Sequence, residues 1–164
     1  MMQVTSVRTV LMVVMGCTLA ACAARGGASA AMRPVDIVER LYSDDGAGIT
    51  DSSRRVARTA TEYRALWREA TRAQRTEPEA PSIDFGRAIV VLVAAGPSRP
   101  GDRIRVDSVA PGRRELAIVV RTTLACQPLP GTVYPIEIVA LPKPRSEAVL
   151  SFIERREKAR DCTE

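Results

Sequence analysis

The hydrophobic pattern changes character several times along the chain, and each change marks an element. Val35-Asp36-Ile37-Val38-Glu39-Arg40-Leu41 reads as a first strand, ended by the turn formers Ser43-Asp44-Asp45-Gly46-Ala47-Gly48, with a ragged strand following through Arg54–Val56. Thr59-Ala60-Thr61-Glu62 has the spacing of a capping box, in which hydroxyl and carboxylate each satisfy the other's end of the backbone. After it Tyr63, Leu66, Trp67 and Ala70 recur at three- and four-residue spacing, so they share one face of an amphipathic helix that should stop before Pro78, by Arg75. Trp67 on that face reads as a core anchor, with Tyr63 and Leu66 beside it and Phe85 further on.

Beyond Pro81 the period shortens. Ile83-Asp84-Phe85-Gly86 leads into Ala88-Ile89-Val90-Val91-Leu92-Val93-Ala94, apolar throughout and β-branched, as a strand buried on both faces reads. Gly96–Asp102 turns the chain, Arg103–Asp107 alternates charge and β-branched residue, and Ala110–Arg113 turns again into a strand from Glu115 to Arg121. So short a connection makes those two strands antiparallel neighbours. Cys126–Gly131 is a stiff loop, Val133–Leu141 a strand, and Val149–Phe152 a final short strand. The remainder, Glu154–Arg160, is solvent-seeking and predicts a frayed helix or a disordered, charged tail over 154–164. The predicted fold is α+β: a single compact domain over 34–153, mainly antiparallel sheet as a sandwich or partly closed barrel, with one helix packed on it.

The front of the chain carries an address. An apolar run from Val10 closes on Leu19-Ala20-Ala21-Cys22, preceded by a segment whose one charge is Arg8, which is how a bacterial lipoprotein signal over 1–21 reads. Cleavage before Cys22 would leave that residue lipid-bearing and followed by a flexible tether over 22–33. The run is too short for a transmembrane helix, which needs about 20 apolar residues. Val14-Met15-Gly16-Cys17 is a weaker second site, and a plain secretory signal cut near Ala21 or Ala24 is the alternative, giving a soluble periplasmic or secreted protein. No acidic residue follows Cys22 directly, so the expected location is the periplasmic face of the outer membrane.

Composition narrows the chemistry. The chain has 164 residues and a formal charge of +5, and 22 of its 24 basic residues are Arg. Positive and negative residues are interleaved and the six aromatics are few, which argues against a nucleic-acid binder. There is no His, so the commonest proton shuttle and zinc ligand is missing. Ser98, Ser108 and Ser151 have only Lys143 and Lys158 to draw on as bases, and Asp84, Asp102 and Asp107 stand at strand ends and turns where carboxylates face water. The expectation is a protein without enzymatic activity, cofactor or metal. Cys126 and Cys162 remain outside the signal, an even pair that in an oxidising compartment suggests a disulfide closing a 37-residue loop.

From Ile49 to Pro142 the chain resembles the PrcB C-terminal-like domain family of bacterial secreted proteins and lipoproteins. The resemblance lies in Tyr63-Arg64-Ala65-Leu66-Trp67, in Pro81-Ser82-Ile83-Asp84-Phe85 with the apolar strand and Gly96 after it, in the hairpin Ile104–Val120, and in Tyr134-Pro135 leading to Ile136–Pro142. It implies a compact, mainly antiparallel domain with one helix, and an accessory role, since the named member is similar to a lipoprotein that binds and stabilises a surface protease. Where the family tends to show a Gly-Gly-Tyr turn, Pro100-Gly101-Asp102 stands here. The functional expectation is a lipid-anchored, periplasm-facing module that binds a protein partner, stabilising or regulating a protease or envelope complex, with a binder of a small ligand or cell-wall fragment as the alternative. The two Pro/Gly loops are the candidate contacts, through Arg99 and Asp102 on one and Leu129 on the other.

Overall fold

A computed structural model describes residues 39–111, 115–127, 129–144, 148–160 and 162. The signal, Cys17, Cys22 and the tether lie outside the described residues. Two sheets and one helix form three layers. The first sheet has strand order β1-β6-β3-β2, with β1 at Glu39–Asp44, β2 at Ser53–Ala57, β3 at Ala88–Ala94 and β6 at Ile136–Pro142, every neighbour antiparallel. The second has order β4-β5-β7, with β4 at Arg103–Pro111, β5 at Glu115–Leu124 and β7 at Val149–Lys158. The helix α1, Ala60–Thr71, covers the side of the first sheet that the second sheet does not.

The parity of β3 explains why its sequence is apolar without a break. Val90, Leu92 and Ala94 point toward the helix, where they meet Tyr63, Leu66, Trp67 and Ala70. Ile89, Val91 and Val93 point the other way, into a second core with Ile104, Val106, Leu116, Ile118 and Val120 of the second sheet. β6 is divided in the same manner, so the two central strands need no polar face.

The capping box is formed. The Thr59 hydroxyl accepts the Glu62 N–H at 3.2 Å, and the Glu62 carboxylate accepts the N–H groups of Thr59 and Arg58 at 3.1 and 2.7 Å. These bonds to the ionised form lower the Glu62 pKa, the Arg58 N–H foremost. The helix ends at Thr71, four residues before the expected stop, because the chain doubles back so that the Trp67 indole N–H donates to the Pro78 carbonyl at 2.8 Å. Phe85 packs on Tyr63 with ring centres 5.9 Å apart, and Trp67 lies within 6 Å of both Tyr42 and Tyr63.

Two expectations are corrected at the ends. The first strand continues past Leu41 through Ser43 and Asp44, and its expected start at Val35 lies outside the described residues. The last strand is not a short piece before a tail: Glu154–Lys158 continue β7, which pairs with β5 along ten residues and in parallel. Its charges are tolerated because β7 is an edge strand, where charged side chains are the usual protection of an open ladder. Glu154 reaches across to the first sheet and accepts a forked pair of bonds from Arg54 of β2, both at 2.8 Å.

A second polar link joins the sheets at their other side. Glu137 of β6, 2% exposed, pairs with Arg40 of β1 and accepts the Val106 N–H at 2.6 Å, while Arg40 also donates to the Val106 carbonyl at 3.4 Å. Val106 stands where β4 bulges. One carboxylate and one guanidinium thus satisfy the backbone groups that an edge strand otherwise leaves open.

Candidate functional site

The connections from β3 to β4 and from β5 to β6 lie at the same end of the molecule, and the structure joins them. Ser98 and Val133 exchange both backbone hydrogen bonds, at 2.9 and 3.0 Å, and the Ala95 N–H donates to the Pro135 carbonyl at 2.9 Å. Gly101, at φ +93°, has the backbone of the left-handed region, and a Cβ there would stand 3.0 Å from that of Ala125. Cys126 and Cys162 form a disulfide with Cα atoms 5.0 Å apart, which ties the second loop to the end of β7. The Ala159 N–H donates to the Leu124 carbonyl at 2.9 Å beside it.

The three residues singled out on these loops have different fates. Arg99 is exposed, and Leu129 is 65% exposed. Asp102 is corrected: it is buried, its carboxylate accepting the Arg99 N–H at 3.1 Å and the Ala125 N–H at 2.8 Å, so it holds the two loops in register and offers nothing to a partner. A turn carboxylate reads as solvated until its partner 23 residues away is known.

The second sheet's outer face adds a feature that the interleaved sequence hides. Pairing places Arg105, Arg121 and Arg155 in one row across β4, β5 and β7, and Arg103, Thr123 and Glu157 in the next row toward the loops. Arg121 donates to Asp107 at 2.7 Å and to Glu157 at 2.6 Å, and these carboxylates, Asp107 first, raise its pKa further. A groove of about 390 Å3 runs along this surface, lined by Arg40, Arg103, Arg105, Arg121, Lys158 and Arg160 among others. The other half of the face is small and apolar, with Ala110, Ala117, Val149 at 70% exposed and Ile153 at 42%. Arg103 and Arg105 fall at outward positions of an alternating strand, whereas Arg155 sits in the consecutively charged end of β7; the register that aligns the row is what no single strand discloses.

The candidate acid/base residues do not converge. Asp84 accepts the Gly86 N–H at 2.9 Å at the end of the molecule away from the loops, Asp107 is paired with Arg121, and Asp102 is engaged as described. Ser98 donates to the Gly96 carbonyl at 3.1 Å, and Lys143 to that of Phe85 at 2.9 Å. Among the described residues no three of the Cys, Asp and Glu side chains gather as a metal site, and no helix is long and apolar enough to cross a membrane.

The architecture defines an α+β sandwich with one helix packed on it. Compared with protein-family models, curated proteins and solved structures, the chain finds no match.

Proposed function

We propose that this chain is a lipid-anchored, periplasm-facing module that binds a protein partner and stabilises or regulates a protease or another envelope complex. The observation that carries the reading is the loop end: two connections distant in sequence meet, are pinned by Asp102 and the disulfide, and present Arg99 and Leu129 outward. Preordered loops lose little entropy on binding, which suits recognition by surface shape. The disulfide suits an oxidising compartment and so an exported chain. The Leu19-Ala20-Ala21-Cys22 signal supports anchorage at Cys22, and the resemblance to the PrcB C-terminal-like domain family points to an accessory role.

Crosslinking in intact membranes followed by recovery of the chain tests this reading. A discrete protein is expected with the wild type and lost with Arg99→Glu/Leu129→Asp, which leaves Asp102 in place. Recovery of the same protein by both forms removes the loops from the interface, and recovery of none overturns the protein-binding role. Labelling with a fatty-acid analogue is expected to vanish in Cys22→Ala and persist in Cys17→Ala; the reverse moves the anchor.

A further inference from the structure

We infer that the cationic half of the second sheet's outer face holds an extended acidic segment of the partner, a refinement that rests on the protein-binding reading above. The row Arg105, Arg121, Arg155 spans three adjacent strands, about 4.8 Å from one to the next. Like charges directly opposite one another destabilise a sheet. The fold compensates only the middle one, through Asp107 and Glu157. Arg103, Arg105 and Arg155 are exposed, and among the described residues no carboxylate pairs with them. An incoming anion relieves that repulsion, and guanidinium groups bind carboxylates through two parallel hydrogen bonds.

The shape of the surface selects the kind of anion. Arg103, Arg105 and Arg121 line a groove, with Arg155 next to Arg121 outside its lining, and a peptide in extended form enters such a groove where a flat bilayer surface does not. In an extended segment every second side chain faces the same way, about 6.6 to 7 Å apart, so acidic residues at alternate positions match Arg103 and Arg105, which stand two residues apart on β4.

Fluorescence anisotropy of a labelled decapeptide of alternating Glu and Ser, titrated with the detergent-solubilised full chain, tests the inference. Binding that weakens with salt is expected, with a loss on the order of tenfold in Arg105→Glu/Arg155→Glu. Arg68→Glu, on the outward side of α1, should bind as the wild type does. If circular dichroism finds the double reversal unfolded, Arg105→Gln/Arg155→Gln replaces it and a smaller loss is expected. The inference is overturned if the peptide does not bind, if Arg68→Glu weakens it equally, or if phosphatidylglycerol vesicles bind through these arginines and the peptide does not. A crosslinked partner recovered equally by Arg105→Glu/Arg155→Glu and wild type also overturns it, and leaves the protein-binding reading standing. A peptide that binds as expected while no protein is crosslinked supports the acid preference and removes the reading instead.

Discussion

The first sheet is apolar on both faces, held between α1 and the second sheet, whereas the second sheet gives one face to the core and turns the other, half cationic and half small and apolar, outward. Packing and exposed charge are thereby placed on different layers. In β3 every residue is buried, so any change there is felt by packing. At the exposed outer positions of β4 and β7, such as Arg103, Arg105 and Arg155, side chains can be exchanged with little effect on the fold.

The largest expected effect falls on the helix side of the first sheet. Trp67→Ala removes the anchor between Tyr42, Tyr63 and the Pro78 carbonyl and is expected to cost about 4 to 5 kcal/mol, read from denaturant unfolding. A cost under about 1 kcal/mol would mean the helix is an ornament and the sheets carry the fold alone. Next comes the second sheet's own tie: reduction, or Cys162→Ala, is expected to lower stability by up to roughly 4 kcal/mol on the chain-entropy estimate, with no further loss when reductant is added to the variant. Two free thiols in the untreated protein would contradict it.

The link between the layers is probed by Glu137→Ala, which leaves the buried Val106 N–H unpaired and should cost about 1 to 3 kcal/mol, whereas Glu137→Gln, which keeps an acceptor for that N–H, should cost less. Alkaline pH separates the layers by a different route. Burial raises the phenols of Tyr42 and Tyr63 to about 12, with help from Asp44 and Glu39 respectively, and both rings pack with the first sheet's helix-side core. Their folded pKa values exceed the unfolded 10.0, so this contribution is complete below pH 10 and is lost as the pH rises toward 12. Melting temperatures across that interval should fall, and fall less in Tyr63→Phe. The smallest effect belongs to the outer face: Arg105→Gln/Arg155→Gln should change stability by no more than about 0.5 kcal/mol. A larger loss would make that row part of the scaffold.

The same contrast governs what the sequence discloses. Tyr63, Leu66 and Trp67 declare a helix face, and Ala88–Ala94 a doubly buried strand, because burial on a regular element imposes a period on the residues themselves. The β4–β5 hairpin is legible from its short turn. Glu154–Lys158 are not, because an edge strand at the rim of a sandwich can be charged at consecutive positions and then looks like a tail. Asp102 and Glu137 are illegible for another reason: each is buried by satisfying backbone groups far away in sequence, Ala125 and Val106, and polar residues so compensated leave no local pattern. The arginine row lies between these cases, its members visible and its alignment supplied only by register.

The partnerships of β1 and β7 bear on how the molecule assembles. β1 pairs with β6, which lies about a hundred residues on along the chain, and β7 pairs in parallel with β5 only after the chain has crossed to the first sheet and back. Loop closure for such contacts precedes any reward from them, which places a sandwich of this kind among slow folders, in milliseconds to seconds. Until β7 docks, one edge of β5 stays open, so the window before docking is when the chain is most prone to pair with the wrong strand.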